Sequence, residues 1–436
     1  MIKYSLLFLI LFFGQLYATD SLLVDTDAEF DDFLVHKIEI KGNTHTKDIV
    51  ITREMNLQVG AVYDDELLDE DLKRIRNLNL FSRVEMVPEF TDEGVDIYIY
   101  VAEQWHIFPY PILFLNEKDW DKLSYGAGLL HDNIHGMHNT LMASFWLGYN
   151  PGIDIIYSNP WIGGDKHYYY NFRVYSTKIK SKSFGYERFD QGHHGGSFTF
   201  GKRWGYRTYL TLSLGYRQVR LPDRYKFLTY SGTGTDHLPS LGLEFKYDKR
   251  DLWAYPKEGY YFDCYMTKTS DFGNIDYFRY GADVRQYIPL FRGLSLGLRG
   301  AADLSTGSVP SYQKIYLGYT YRIRGQYDTR REGDNRLLAN VELRFPIMPV
   351  RYLDLGQGLY DMGSYTKNIP FGISGALFYD AGTVWYRGES WRDSDRLQGF
   401  GAGLHFHVPY VQLLRLETAW DRDFNQQYII DIEVMF

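Results

Sequence analysis

Histidine, cysteine and carboxylate side chains are the first residues to weigh, because they could do chemistry. His131, His135 and His138 are spaced as on a helix but fall in a turn between two strand-like segments, where three ligands would not converge on a metal. His405 and His407 share one face of an alternating segment and lack a third ligand. His193-His194 reads as loop. Cys264 is the single cysteine, so there is no internal disulfide framework and no multi-cysteine metal site. It alternates with Phe262 and Met266 on an apolar face, which suits an inert thiol. No nucleophile–base pair, phosphate-cradling glycine loop or paired-acid site is evident, so the residues nominate no enzyme, no cofactor and no metal. What remains is a set of charged residues on otherwise apolar, alternating segments. Leu337, Ala339, Val341, Leu343 and Phe345 alternate with Asn340, Glu342 and Arg344. The same parity along Ile373, Gly375, Leu377 and Tyr379 puts Asp380 on the charged side.

The elements that carry these residues are strands. From Trp105 to Phe436 the helical period disappears, and about 16 short alternating segments follow, separated by Gly, Asn, Asp and Pro clusters. Leu414, Leu416, Thr418 and Trp420 alternate with Arg415, Glu417 and Ala419; Tyr428, Ile430, Ile432, Val434 and Phe436 oppose Asp431 and Glu433. Charges on one face, with no second apolar layer to cover it, argue against a β-sandwich and leave a soluble all-β enzyme as the alternative. A closed transmembrane antiparallel barrel with a polar lumen and a lipid-facing belt satisfies every backbone group. Composition agrees: 39 Tyr, 28 Phe and 9 Trp with 41 Gly suit strands that end in aromatic girdles. The longer connections, 179–193, 218–237, 305–334 and 381–397, follow odd-numbered strands. Those after even strands are short, apart from 346–371. Long outer loops and short periplasmic turns put both chain ends on the periplasmic side.

Three segments precede the barrel. Lys3, the apolar run Leu6 to Phe13 and Ala18 read as a secretory signal over 1–18, since the run falls short of the about 20 residues of a spanning helix. Residues 19–33 form an acidic linker, a solvated stretch. Over 34–103 the pattern is β-α-α-β-β. Val35, Ile38 and Ile40 form a strand, and Ile49, Ile51 and Met55 follow at helical spacing. Leu67, Leu68, Leu72, Ile75, Leu78 and Leu80 repeat that spacing behind an Asp64 N-cap, and Phe81–Phe90 and Val95–Val101 make a hairpin. The net charge of −8 and the lack of a basic patch exclude a nucleic-acid partner.

The small domain, with its Ile38-x-Ile40-x-Gly42-Asn43 opening, resembles a POTRA domain, and the whole mature chain resembles the BamA/TamA-like outer-membrane assembly barrel superfamily. Further motifs follow in the family's order. Asp248-Lys249-Arg250-Asp251 with Pro256-x-x-Gly259-Tyr260 resembles its strand-turn-strand signature. Ile323-Arg324-Gly325-Gln326-Tyr327 resembles its Arg-Gly-aromatic loop, with Gln326 inserted. Phe378-Tyr379-Asp380-Ala381-Gly382 resembles its aromatic-x-Asp-x-Gly strand, and the terminal Phe436 its barrel ending. The resemblance implies that the long loop folds into the lumen and that acids on the wall hold its arginine. Strand parity supplies the acids: Arg324, with Gly325 and Tyr327 beside it, is expected to latch onto Glu342 and Asp380. A guanidinium suits that position because it pairs bidentately with a carboxylate and keeps its charge when buried.

The implied function is assembly, insertion or translocation of proteins at the bacterial outer membrane. Unfolded outer-membrane or secreted proteins would be the clients, outer-membrane lipid the surroundings, and periplasmic accessory proteins the helpers. Alternatives are a two-partner-type secretion pore for one substrate, a structural or lipid-handling barrel and, last, an outer-membrane enzyme. The free edge of the small domain's hairpin would accept an added strand. The first and last barrel strands would meet at a seam that an incoming strand could template on.

Overall fold

The computed structural model describes residues 33–116, 120–182, 185–205, 207–253, 255–271, 273–318, 321–326, 329–353, 369–408 and 413–432. The leader over 1–18, most of the acidic linker, Tyr327 and Phe436 lie outside the described residues.

The N-terminal part contains β1 (Val35–Lys41), α1 (Asp48–Thr52), α2 (Asp65–Asn77), β2 (Phe81–Thr91) and β3 (Gly94–Glu103). Helix α2 begins where its sequence says it should. The Asp64 carboxylate accepts the Glu66 and Leu67 amides, acids fill the first turn, and Arg74 and Arg76 fill the last, complementing the helix dipole. The sheet order is β1-β3-β2, with β1 parallel and β2 antiparallel to the central strand. A parallel neighbour needs a long connection, and here it runs through α1, α2 and β2. The apolar faces of the two helices (Val50, Ile51, Leu68, Ile75) pack on Val95, Ile97 and Ile99 to close one core. Asp71, buried in α2, accepts the Asn56 and Leu57 amides and pairs with Arg74 at 2.8 Å.

Sixteen strands then form one antiparallel sheet. They run β4 (Ile107–Leu115), β5 (Leu123–Ile134), β6 (Asn139–Gly148), β7 (Gly152–Ile162), β8 (Tyr168–Lys180), β9 (Asp190–Trp204), β10 (Thr208–Arg220) and β11 (Thr235–Asp248). After β12 (Gly259–Ser270), β13 (Asp276–Pro289) and β14 (Ser295–Gly307) the chain makes a small separate hairpin, β15 (Ile315–Leu317) with β16 (Arg331–Gly333). The sheet resumes with β17 (Asn335–Leu353), β18 (Ile369–Trp385), β19 (Leu397–His407), β20 (Leu414–Asp421) and β21 (Gln426–Ile432). Each barrel strand pairs with its neighbours in chain order, and among the described residues no ladder joins β4 to β21.

Alternation is steep across this sheet. On β18, Leu377 is 50% and Tyr379 44% exposed, while Phe378 is 5% and Asp380 0% exposed. A monomer in water would not show an apolar outer face and a charged, buried inner one. Three segments differ from the sequence-based expectation. His131 lies within β5, paired to β4 and β6, and only His135 and His138 fall in the turn beyond it. His193-His194 lies within β9, paired to β8 and β10, because that ladder runs farther before it turns. The 346–371 connection is shortened from both ends: β17 continues to Leu353 and β18 starts at Ile369, with two bulges that absorb the register shifts.

The small domain docks on the barrel turns. The Lys47 amide donates to the Gly136 carbonyl at 2.9 Å, and the Asn133 side chain donates to Thr46 Oγ1 at 2.8 Å. Glu54 meets Arg203 at 3.1 Å and Glu70 meets Arg207 at 3.2 Å. Glu103 organises the same loop from behind, accepting the Thr44 hydroxyl and the His45 and Thr46 amides. Burial opposes ionisation of Glu103, but those hydrogen bonds outweigh it and hold the carboxyl at about 2.

Candidate functional site

The described residues of the 308–334 connection, Leu317 and Ile323 among them, bend into the lumen, and apolar contacts seat them. Leu317 and Ile323 are buried against Leu338, Val384 and Leu397 of the barrel wall. Immediately beyond, the Gln326 amide donates to the Ile323 carbonyl at 2.9 Å, closing a tight turn whose third residue is Gly325 at φ +89°. A left-handed backbone there favours glycine. A Cβ would also stand 2.6 Å from the Trp420 carbonyl oxygen of β20. Gly399 of β19 admits the loop from the other side, since a Cβ on it would collide with the Arg324 carbonyl oxygen.

This turn delivers Arg324 to the wall, where it is wholly buried. Its Nε and Nη2 donate to the two oxygens of Asp380 at 2.7 and 2.9 Å, a bidentate pair. Its Nη1 donates to Glu342 at 2.7 Å and to Glu417 at 3.0 Å. The guanidinium face lies 3.5 Å from the centroid of Phe378. Asn340 donates to the Asp380 oxygen that also accepts Nη2, at 2.9 Å. Four barrel strands, β17 through β20, thus converge on one loop residue. The acids lie in register for it: Asn340 is opposite Asp380, and Glu342 is opposite Phe378.

The ionic network continues toward the periplasm. The other oxygen of Glu342 accepts Arg344 at 2.8 Å, and Arg344 donates to the Pro256 carbonyl at 2.8 Å. Pro256 belongs to the connection between β11 and β12, which enters the lumen from below. Tyr255, buried, touches His405 Nδ1 at 3.1 Å and meets the His405 and His407 rings edge-on. His405 in turn lies 3.3 Å from Glu417. An outer loop and a periplasmic turn therefore share one set of buried charges, Arg324–Glu342–Arg344.

Glu342, His405 and Glu417 offer ligand atoms within 4.8 Å of one another, the grouping among the described residues that a metal ion would use. Arg324 Nη1 already donates to both glutamates, so the guanidinium occupies the position such an ion would take. The sequence reading named Arg324, Gly325, Glu342 and Asp380, and the structure brings these four together. It did not place Glu417, Arg344, Phe378 or Tyr255 in the latch. Strand parity had placed Glu417 and Arg344 on the charged face, but parity does not say which strands approach the loop.

A lipid-facing sheet with a charged lumen, an inward loop pinned by a buried arginine and a β-α-α-β-β domain at its mouth define a POTRA-bearing outer-membrane barrel. The comparisons agree. The Omp85 superfamily domain matches residues 133–432, and the POTRA model described as a surface antigen variable number repeat matches residues 33–104. The chain belongs to the Omp85 superfamily. It is 23% identical over 384 residues to the outer membrane protein assembly factor BamA of Nitratidesulfovibrio vulgaris, covering 77% of this chain and 44% of that one. It is 24% identical over 418 residues to BamA of Neorickettsia risticii, covering 89% and 52%. The chain thus spans about half the length of these curated relatives. Among solved structures, BamA of Haemophilus ducreyi lacking POTRA domains 1–3 superposes with TM-score 0.54 at 19% identity, covering 92% of this chain and 83% of that one. CdiB of Escherichia coli superposes with TM-score 0.60 at 13% identity, covering 92% and 75%.

Proposed function

We propose that this protein, set in the outer membrane with its small domain in the periplasm, receives unfolded protein clients and assists their insertion into or passage across that membrane. The observation that carries the reading is the sheet's ends. Strands β4 and β21 are the terminal strands of the described sheet, and a seam between them would offer backbone donors and acceptors on which an incoming strand could template. Strands β1 and β2 are the outer strands of the small domain's sheet and offer the same chemistry one step earlier, to a client or a periplasmic accessory protein. Lipid contacts the apolar outer face. No covalent step is required. Arg324 and its acids act as a latch that keeps the inward loop seated while the seam works.

A second reading, a dedicated secretion pore, draws support from the fold shared with CdiB. It would require a path through a lumen that Leu317, Ile323 and Arg324 of the inward loop and the Tyr255 segment now occupy. Depleting the protein and profiling the outer membrane separates the two. Broad loss of folded barrels supports insertion, loss of a single exported product supports the pore, and an unchanged protein profile refutes both.

A further inference from the structure

The junction between the small domain and the barrel holds two arginines with one carboxylate between them. Arg53 caps the end of α1, and Arg203 lies near the periplasmic end of β9. Both guanidiniums lie over the ring of Trp161 at the end of β7, at 4.9 and 4.6 Å from its centroid. Stacking occupies their faces and leaves the in-plane N–H groups to find acceptors. Arg203 Nη2 donates to Glu54 at 3.1 Å, and Arg53 Nη2 reaches the Met137 carbonyl only at 3.4 Å. Arg53 Nε, Arg53 Nη1 and Arg203 Nε are buried with no acceptor among the described residues.

Buried donors in native proteins are paired with protein, water or an ion, and each exception asks for an account. Water would satisfy the N–H groups but not the charge. Two guanidiniums facing one Glu54 leave the cluster net positive. The strain is visible on Arg53: burial, and then the neighbouring Arg203, push its ionisation down to about 10 against the pull of Glu54. A small oxyanion would meet both needs at once, since guanidinium pairs with phosphate oxygens in directed, charge-assisted bonds. Access is from the Arg203 side: a cavity of about 660 Å³ between α2 and the barrel turns has Glu54, His138 and Arg203 in its wall, and Arg53 lies outside that wall.

We propose that Arg53 and Arg203 hold a phosphate-type oxyanion, either free phosphate or the phosphate of a lipid headgroup, that ties the small domain to the barrel mouth. One arginine comes from each side of the junction, so the anion binds only the docked arrangement and stabilises it by mass action.

The test uses the full chain in detergent with inorganic phosphate as the calorimetric probe, and in nanodiscs with and without phosphatidylglycerol for lipid retention by native mass spectrometry. One saturable phosphate site is expected, weakened at least tenfold by Arg53→Gln or Arg203→Gln and unaffected by Lys202→Gln one residue away. Glu54→Gln, which removes the competing carboxylate, should tighten binding several-fold, a gain that misfolding cannot mimic. Phosphate binding in lipid-free detergent assigns the site to the free ion. Retention of phosphatidylglycerol alone, sensitive to the same substitutions, assigns it to a headgroup. No binding of either, or binding indifferent to Arg53, Arg203 and Glu54, overturns the proposal.

Discussion

Replacing Arg324 by alanine would leave three buried carboxylates, but they would not suffer equally. Glu342 keeps Arg344 at 2.8 Å, and Glu417 keeps His405 at 3.3 Å and Arg415 at 3.4 Å. Among the described residues Asp380 keeps only neutral donors, the Asn340 side-chain amide at 2.9 Å and, while the loop is seated, the backbone amide of residue 324 at 3.3 Å. The uncompensated charge therefore falls on Asp380, and breaking one partner from a buried pair costs roughly 3–5 kcal/mol. That energy opposes the seated loop specifically, because the barrel ladders are untouched. At about 1.4 kcal/mol per factor of ten, the seated-to-released ratio should fall by about 10² to 10⁴. The assay is hydrogen exchange of the 321–326 amides in the full chain, with trypsin cutting near Arg322 and Arg330 as a second readout. Arg324→Lys should lie close to alanine, because an ammonium cannot donate bidentately to Asp380 while also spanning to Glu342 and Glu417. Asp380→Asn combined with Arg324→Ala should cost less than the sum of the two, since neighbours in one network are coupled. Unchanged exchange at 321–326 in Arg324→Ala would refute the latch, whatever happened to activity.

Gly399→Ala removes no charge, yet its methyl would strike the Arg324 backbone; it should release the loop as Arg324→Ala does, and normal protection in that variant would contradict the close approach. Arg344→Gln should loosen the Tyr255–Glu258 segment from the lumen, read as faster exchange there, with a smaller effect at 321–326 because Asp380 still holds Arg324. Glu103 sets an acid limit on docking. Its carboxyl stands at about 2 when folded against about 4.3 when unfolded, so its stabilisation is complete above the unfolded value and is lost as pH falls from there toward about 2. Thermal unfolding of the full chain at pH 6, 4 and 2.5 should show that loss, whereas Glu103→Gln should start lower and vary less. Parallel profiles for the two proteins would count against it. Asp71→Asn should destabilise the small domain by roughly 1.5–3 kcal/mol, because Arg74 and the Asn56 and Leu57 amides would lose a buried carboxylate while Arg74 keeps Glu70 at 2.8 Å; denaturant titration that gave less than about 1 kcal/mol would show that Glu70 alone suffices.

Much of the architecture was written in local pattern. The period-two alternation of β17, β18 and β20 sorted residues into two faces, and a strand has only two, so parity alone put Asn340, Glu342, Arg344, Asp380 and Glu417 together. The change of period from helix to strand near Trp105, and Asp64 ahead of an amphipathic run, were equally local and equally readable. Motif resemblance added which loop carries the arginine. Distance across the barrel was not local. Which acids Arg324 reaches depends on ladder register and on how deep the loop sits, and those follow from Leu317 and Ile323 packing on three strands and from two glycines that let backbones touch. For that reason Glu417, 93 residues from Arg324 in sequence, joined the latch only in the folded chain. The same holds for Arg344 reaching Pro256 across 88 residues and for Arg53 meeting Arg203 over Trp161. Side-chain periodicity determines a residue's face; only assembly of the strands into one sheet, seating of the loop and docking of the small domain bring particular faces within hydrogen-bonding reach.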